Sequence, residues 1–220
     1  MRREIITTSD GSKTIHLPDW DESYHSKHGA IQEAYHVFIK NGLRLFENRA
    51  LNILEIGFGT GLNAIITAIE AEKQNLTVNY TGIEAYPVSL DEALEMNYLK
   101  SLNALEKTPI FEKMHQIPFA KEIKLLDNFN LEKRNIFFDQ IEDIAAFDLI
   151  YFDAFGFRVQ PELWTTEIFQ KMFVALKDKG VLVTYAARGV VKRSMQEVGF
   201  RVEKLAGPPG KREMMRAFKE

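Results

Sequence analysis

The chain has 220 residues, of which 45% are hydrophobic and 27% charged, with a net charge of −3 at pH 7 and no cysteine. The missing cysteine excludes disulfides, thiolate catalysis and cysteine-ligated zinc or iron–sulfur clusters. The longest apolar runs, such as "LIYF" and "VLVTYAA", are too short to span a bilayer, and "MRREIITTSDGSK" is too polar for a signal peptide. We therefore expect a cytoplasmic protein that does not coat polyanions generally, although a local basic patch is compatible with this charge.

The N-terminal residues predict a small accessory unit. "REIITT" and "KTIHLP" look like short strands around "SDGS", because Asp-Gly favours tight hairpins. "AIQEAYHVFIKNG" has apolar residues at helical spacing and a C-cap signal at its end. Residues 24–28 form a loop or a lid over a site, and the two histidines among them have no evident third ligand, so we expect no metal. We take residues 1–45 as an N-terminal extension and 46–220 as one globular domain.

From Leu51 the sequence alternates between strand-like and helix-like segments. We predict core strands at "LNILEI", "LTVNYTGIE", "FDLIYFDAF" and "GVLVTYAA", and helices at "LNAIITAIEAEKQ", "VSLDEALEMNYL", "TTEIFQKMFVALKDKG" and "GVVKRSMQEVG". The third helix is expected to end at Gly180. "KEIKLLDNF" and "EKRNIFFDQ" are further strand candidates that could form a hairpin, and "FRVEKLAG" with "REMMRAFK" indicates a terminal strand pair. This order predicts an α/β fold with a mostly parallel seven-stranded sheet, helices on both faces and a closing antiparallel hairpin.

Residues 55–61, "EIGFGTG", lie between the first core strand and its helix, where nucleotide-binding folds hold their ligand. Glycine permits a close backbone approach, and the helix start offers free N–H groups. Leu62 stands where the dinucleotide fingerprint needs its third glycine, and no Gly-Lys-Ser/Thr follows. Glu55 would repel a pyrophosphate and favour a cationic ligand such as S-adenosylmethionine. The alternative is a turn that is rich in glycine for packing alone.

The glycine spacing resembles the first motif of Rossmann-like class I S-adenosylmethionine-dependent methyltransferases, formed here by Glu55, Gly57, Gly59 and Gly61. Glu84 ends the second core strand, where an acid accepts hydrogen bonds from ribose hydroxyls in related folds. Asp139, in "FFDQIED", follows a third strand candidate, where methyltransferases of this class often bind the adenine amine. Asp139 could equally be an ordinary turn residue.

Asp153 ends the fourth core strand, "FDLIYFDAF", and is expected beside the methyl donor because open α/β sheets bind ligands at the carboxyl ends of their strands. An alkylamine acceptor is mostly protonated near neutral pH, with a pKa of roughly 10.4. Phe155, Phe157 and Trp164 could desolvate such an amine and lower its pKa. Asp153 would then orient the amine or accept its proton. The alternative makes Asp153 a turn cap, and Trp20 is expected to be a packing residue.

The C-terminal third carries adjacent cations at Lys192-Arg193 and Lys211-Arg212. A cationic face could contact phosphates. A solvated surface explains the same composition equally well.

Several motifs together resemble one family, the methyltransferase domains of MnmC-like enzymes of tRNA 5-methylaminomethyl-2-thiouridine biosynthesis. The matching pieces are "GA" with "EAYHVF", "EIGFGTGLN", "FDLIYFDAF" with "PELW", "GVLVTYAARGVVKRSMQEVGF" and "GPPGKREMM", in family order over residues 24–218. The resemblance adds Phe58 and Asn63 to the expected donor site. Phe157 stands where family members usually carry proline, a departure that concerns the substrate pocket and not the donor site.

The resemblance implies methyl transfer from S-adenosylmethionine to the amine of 5-aminomethyl(-2-thio)uridine at the tRNA wobble position. It implies catalytic roles for Asp153 and Phe155, contact of Trp164 and Phe157 with the substrate, and tRNA contacts from Lys192, Arg193, Lys211 and Arg212. No second glycine fingerprint is present, so we expect a stand-alone methyltransferase without FAD, metal or membrane, served by a separate oxidase or aminomethyl-forming enzyme. Alternatives are methylation of a small amine or a protein, aminopropyl transfer, or a non-catalytic adapter that binds S-adenosylmethionine or tRNA.

Overall fold

The computed structural model describes residues 2–26 and 28–220, and Lys27 of the expected lid lies outside them. The chain begins with a three-stranded antiparallel sheet of β1 (Glu4–Thr7), β2 (Lys13–Leu17) and β3 (Glu22–Ser23). Asp10 shapes the β1–β2 turn, because its Oδ1 accepts hydrogen bonds from Thr8 Oγ1 at 2.7 Å and Ser12 N at 3.1 Å. The expected hairpin is therefore present, with a third strand that the sequence did not predict.

An eight-stranded sheet follows, in the order β10-β11-β9-β8-β4-β5-β7-β6. Its strands are β4 (Ala50–Ile56), β5 (Thr77–Ile83), β6 (Ile123–Leu126), β7 (Phe129–Arg134), β8 (Phe147–Phe152), β9 (Leu176–Thr184), β10 (Arg201–Ala206) and β11 (Glu213–Phe218). The five central strands are parallel, while β6, β10 and β11 pair antiparallel to their neighbours. The predicted fold class is confirmed, although the sheet has eight strands and not the seven expected.

Seven helices accompany the described strands: α1 (Ala30–Ala34), α2 (Leu62–Lys73), α3 (Leu90–Glu95), α4 (Tyr98–Ser101), α5 (Thr108–Gln116), α6 (Thr166–Ala175) and α7 (Gly189–Glu197). The first continues as a π-helical segment over Tyr35–Lys40. None of the helices in the described ranges is long and apolar enough to cross a membrane.

The core lies on both faces of the large sheet, as the central strand shows. All six residues of β8 are buried. Leu149 and Tyr151 belong to one apolar cluster, and Ile150 and Phe152 belong to the other. Because strand side chains alternate between faces, an uninterrupted apolar run such as "LIYF" is typical of a strand covered on both sides. Ile15 and Leu17 of β2 join the first cluster, and the division of the chain at residue 45 stays a prediction.

Two predicted segments have different boundaries in the structure. The helix expected to end at Gly180 ends at Ala175, because the fully buried Leu176 already pairs with Phe147 of β8. Residues 177–180 then shift the register before pairing resumes. The helix predicted over "VSLDEALEMNYL" is broken between α3 and α4, where Asn97 has a positive φ of 56° that no helix continues through.

The strand predicted over "EKRNIFFDQ" is also wrong in its second half. The predicted hairpin exists as β6–β7, but β7 ends at Arg134. The next residue turns the chain over the end of β5, because Asn135 Nδ2 donates to Glu84 O at 2.7 Å and Ala85 O at 3.1 Å. Asp139 therefore lies on a short 3-10 turn, Phe138–Gln140, and not at a strand end. The segment containing α5 carried no sequence prediction.

Candidate active site

A cleft of about 1010 Å³ opens at the carboxyl ends of β4, β5 and β8. Its floor is the glycine loop after β4, and its walls come from the segments that follow β5, β7, β8 and β9. The three-stranded N-terminal sheet contributes a further wall. The sequence segments that carry the predicted motifs therefore meet at one edge of the sheet, as the parallel topology requires.

The glycine loop follows the sheet edge closely. Gly57, Gly59 and Gly61 all have positive φ, at 87°, 52° and 75°. A Cβ on Gly57 would lie 2.7 Å from Asp153 O, so the loop runs directly beside the end of β8. The backbone N–H groups of Gly57 and Phe58 donate to Ile83 O at 3.0 and 2.9 Å. Glycine is needed in this loop both for its conformation and for the close approach of two strand ends.

Glu84 links the glycine loop to the end of β5. Its Oε2 accepts a hydrogen bond from Gly59 N at 2.9 Å, and its Oε1 accepts one from Tyr86 N at 2.9 Å. The carboxylate faces the cleft and keeps a free lone pair on each oxygen, which is what recognition of a vicinal diol requires.

Asp153 lines the cleft and is linked through Asn63 to the fully buried Glu55. Asn63 Nδ2 donates to Glu55 Oε1 and to Asp153 Oδ2, both at 2.9 Å. Burial raises the pKa of Glu55 well above its usual value, and the carboxylate of Asp153 adds to the effect. Burial also raises the pKa of Asp153 to about 7, with a further contribution from Glu33, while Asn63 opposes the rise. Asp153 can therefore exchange a proton near neutral pH.

Within the described residues, the buried hydrogen-bond acceptors at this site suit a ligand that carries a positive charge. Glu55 Oε2 and Asn63 Oδ1 are buried and have no hydrogen-bond partner within the protein. Buried polar atoms are rarely left unpaired, and Asn63 lines the cleft, so an N–H donor of a ligand would satisfy Asn63 Oδ1. The Glu84 and Asp153 carboxyl groups, which also line the cleft, make it a poor site for a phosphate. The site thus fits S-adenosylmethionine, which carries an ammonium and a sulfonium but no phosphate.

Beyond Asp153 the cleft is lined by aromatic rings. Trp20 and Tyr24 of the N-terminal segment meet Phe155 edge to face, with ring centroids 5.7 and 5.1 Å apart. Arg158 holds this arrangement, because its Nη2 donates to Trp20 O at 3.2 Å and Asp21 O at 2.8 Å. Trp20, expected to be a packing residue, lines the cleft. An apolar chamber beside Asp153 can strip water from an incoming amine.

Two predicted aromatic residues lie elsewhere. Trp164 is 1% exposed and lies behind the wall, where its Nε1 donates to Phe155 O at 2.8 Å. Phe157 packs outside the cleft lining, with the guanidinium carbon of Arg188 5.4 Å from its ring centroid. In this structure Trp164 supports the backbone of Phe155 and does not face the cleft. The structure therefore does not bring Phe157 or Trp164 to the place where a substrate would bind.

Asp139 does reach the cleft, although not from a strand. Asp139 is exposed and lines the cleft together with its sequence neighbours Phe137 and Phe138. An adenine amine could bind there, which keeps this prediction open.

The predicted cations occupy different environments. Arg212 is fully open, with 91% of its side chain exposed. Lys211 instead pairs with Glu33, and its Nζ lies 3.7 Å from the ring centroid of Tyr185. Lys192 and Arg193 lie on α7, outside the cleft.

The expected lid contributes Tyr24 and His25 to the cleft lining. Other cleft residues carried no sequence signal, among them Arg3, whose Nη1 pairs with Glu92 Oε2 at 3.0 Å. Tyr185 follows β9, and its hydroxyl donates to Ala154 O at 2.8 Å. The position of Tyr185 directly after a core strand was the one available signal.

Comparisons with known proteins agree with this arrangement. A family profile described as S-adenosyl-L-methionine-dependent methyltransferase matches residues 93–220. The tRNA 5-methylaminomethyl-2-thiouridine biosynthesis bifunctional protein MnmC of Burkholderia multivorans is 28% identical over 222 residues, which cover 92% of this chain and 33% of that protein. The MnmC of Burkholderia pseudomallei is 27% identical over 231 residues, which cover 96% and 34%. The chain thus spans about a third of the length of these curated relatives.

Solved structures show the same fold. MnmC2 from Aquifex aeolicus superimposes with a TM-score of 0.73 at 24% identity, covering 98% of this chain and 70% of that one. A Burkholderia thailandensis 1,6-didemethyltoxoflavin-N1-methyltransferase, solved with S-adenosylhomocysteine bound, matches with a TM-score of 0.50 at 11% identity, covering 86% and 78%.

Proposed function

We propose that this chain, which belongs to the S-adenosyl-L-methionine-dependent methyltransferase family, methylates the amine of 5-aminomethyl(-2-thio)uridine at the tRNA wobble position. The observation that carries the proposal is that Asp153, beside an aromatic chamber, lines the same cleft as the glycine loop. The names of the similar proteins from two Burkholderia species support tRNA as the substrate.

At the donor end, we assign Glu84 to the ribose hydroxyls and the unpaired Asn63 Oδ1 to the donor's ammonium, with the buried Glu55 holding the Asn63 amide in place. Gly57, Phe58, Gly59 and Gly61 form the floor of this end. Bound S-adenosylmethionine supplies an electrophilic methyl group on its sulfonium. The protein's own contribution is to position this group and the acceptor in line, which can account for a large part of a methyl transferase's rate.

At the acceptor end, Trp20, Tyr24 and Phe155 would exclude water from the arriving aminomethyl group. Desolvation lowers the pKa of an ammonium, so more of it loses its proton. Asp153, with a pKa of about 7, accepts that proton and orients the remaining N–H bonds. The nitrogen lone pair then forms the new N–C bond as the S–C bond of the donor breaks.

For the tRNA backbone we assign the exposed cations Arg212 and Arg193, together with the partly exposed Lys192. Phosphate contacts of this kind give sequence-independent affinity that falls steeply with salt. Because the chain has a net charge of −3, we expect weak binding that depends on these few side chains.

The test is nucleoside mass spectrometry of tRNA from a strain that lacks the methylation, incubated with pure protein and S-adenosylmethionine. We expect the aminomethyl nucleoside to gain one methyl group, and Asp153→Asn to lose most of the turnover while still binding S-adenosylhomocysteine. Unchanged tRNA would overturn the proposal. In that case, labelled methyl in a small amine or a protein from an extract would identify another acceptor, and ligand binding without any turnover would identify an adapter.

A further inference from the structure

Lys211 and Arg212 are adjacent in sequence but have opposite surroundings. The Lys211 ammonium contacts Glu33 Oε1 and lies 3.7 Å from the ring centroid of Tyr185. The Arg212 side chain is 91% exposed, and its guanidinium is 4.0 Å from Glu213. The Lys211 side chain is 32% exposed and its charge is already paired, whereas the charge of Arg212 is open to an approaching polyanion.

Glu33 is a fixed partner for Lys211. It lies in α1 and is 7% exposed. Its Oε2 accepts a hydrogen bond from Ser26 N at 2.9 Å, so both carboxylate oxygens are engaged. The loop that carries Lys211 packs tightly here, since a Cβ on Gly210 would lie 2.1 Å from His28 Cδ2. The ion pair thus joins α1, the segment before it and the β10–β11 loop.

This ion pair lies directly behind the wall of the cleft at Asp153. Tyr185 lines the cleft together with Asp153, and its hydroxyl donates to Ala154 O, one residue further along the chain. Lys211 contacts the ring of the same tyrosine. The charged and titratable groups that surround Asp153 and interact with it are Glu55 on β4, Tyr80 on β5, Tyr98 on α4, Glu33 on α1, Tyr185 after β9 and Lys211 on the β10–β11 loop. Among these groups, Lys211 is the one cation.

We infer that Lys211 is a positioning residue whose charge, held between Glu33 and Tyr185, keeps Asp153 able to release and accept a proton, and that Lys211 does not bind RNA phosphates. The inference rests on the proposed function in one respect, since it takes Asp153 to face the acceptor amine. Burial and the carboxylate of Glu33 favour the protonated form of Asp153. The Lys211 ammonium opposes them. Without it, a larger fraction of Asp153 would be protonated at neutral pH, and less of it could accept a proton from the substrate.

The test compares variants that are expected to shift the pKa of Asp153 in opposite directions. Lys211→Met removes the cation and leaves Glu33 uncompensated, so the pKa of Asp153 should rise by at least about half a pH unit. Glu33→Gln removes the anion and leaves Lys211 in place, so the pKa of Asp153 should fall. The double variant Glu33→Gln/Lys211→Met should titrate between the two single variants. Arg212→Met is the matched control, because it removes the neighbouring exposed charge and should leave the titration unchanged.

The measurement is carbon-13 NMR of the Asp153 carboxyl in protein labelled at aspartate, with Asp153→Asn identifying the resonance. It needs no acceptor, so its outcome is independent of whether tRNA is the substrate. If Lys211→Met does not fold, Glu33→Gln and the double variant still show in which direction the pKa of Asp153 shifts. The inference would be overturned if Asp153 titrated identically in all variants. It would also be overturned if its pKa were lower in Lys211→Met than in Glu33→Gln.

Two further readouts separate a charge effect from a structural one. In methyl transfer to the aminomethyl-bearing tRNA, the acid limb of kcat/KM should move upward in pH for Lys211→Met and downward for Glu33→Gln. In binding of the same tRNA, Lys211→Met should leave the affinity and its salt slope unchanged, whereas Arg212→Met should weaken both. A loss of tRNA affinity in Lys211→Met as large as in Arg212→Met would show that Lys211 binds phosphate after all.

Discussion

Asn63 donates a hydrogen bond of 2.9 Å to Asp153 Oδ2. This bond links α2 to the end of β8. The same nitrogen donates to Glu55 Oε1 at 2.9 Å. One neutral amide thus joins the buried carboxyl group of Glu55 to that of Asp153, which lines the cleft. The bridge also fixes the direction in which Asp153 faces the cleft.

Removing the Asn63 amide should affect turnover more than folding. Asn63→Ala leaves two buried carboxylates without their donor, and we expect a loss of about 1–3 kcal/mol in unfolding free energy. Methyl transfer should fall at least tenfold, because Asp153 loses its orientation and holds its proton more strongly. The checks are urea unfolding and initial rates at saturating donor.

Asn79→Ala is the control for that experiment. Asn79 also makes side-chain hydrogen bonds between strands, to Asn52 at 3.0 Å and from Asn130 at 2.9 Å, but near the opposite edge of the sheet. We expect a similar loss of stability with unchanged turnover at a temperature where both variants are folded. Equal losses of activity in the two variants would contradict a specific role for Asn63.

The raised pKa of Asp153 also predicts how stability depends on pH. Its folded pKa of about 7 exceeds the ordinary value of 3.8, so the folded state binds more protons than the unfolded state between these values. Unfolding free energy contributed by this group is therefore fully present below about pH 4 and is lost as pH rises toward 7. Asp153→Asn should be more stable than the native protein at pH 8, by up to about 4 kcal/mol, and equally stable near pH 4. Denaturant unfolding across this range measures the difference, and a difference independent of pH would refute the assignment.

The donor end of the cleft was predictable because strand order determines it. Residues that follow neighbouring parallel strands share one edge of the sheet, so Glu55, Glu84 and Asp153 had to meet once their strands were recognised. Alternating apolar segments were enough to recognise those strands. The φ values of the glycine loop followed from the residue type.

The acceptor end was less predictable, for two physical reasons. Tyr24 and Trp20 arrive from a segment more than a hundred residues away from Phe155, and no periodicity links them. The direction of a side chain on a short turn is also not encoded in residue type. Trp164 therefore lies behind the wall where we expected it to face the substrate, and the Lys211 ammonium is paired with Glu33 where we expected it to face tRNA.

The two acids predicted for the nucleoside part of the donor should differ in importance. Glu84 is held by two backbone N–H groups in a half-buried position, whereas Asp139 is exposed. We expect Glu84→Ala to weaken S-adenosylhomocysteine binding about 10- to 100-fold, the usual cost of losing hydrogen bonds to a charged group. Asp139→Asn keeps a carbonyl acceptor for the adenine amine, so it should weaken S-adenosylhomocysteine binding less than about threefold. Calorimetric titration measures both, and a larger loss for Asp139→Asn would reverse the assignment.

Gly57 allows a test of how closely the glycine loop must approach Asp153. Gly57 and Gly11 have similar positive φ values of 87° and 80°, but a Cβ on Gly57 would lie 2.7 Å from Asp153 O, whereas one on Gly11 would meet nothing within 4 Å. Both alanine variants carry the left-handed backbone penalty of about 1–2 kcal/mol. Only Gly57→Ala should also displace the end of β8, so it should lose more stability and at least tenfold in methyl transfer, while Gly11→Ala keeps full turnover. Urea unfolding and single-turnover rates compare the two, and equal effects would mean that the close approach at Gly57 is not needed for function.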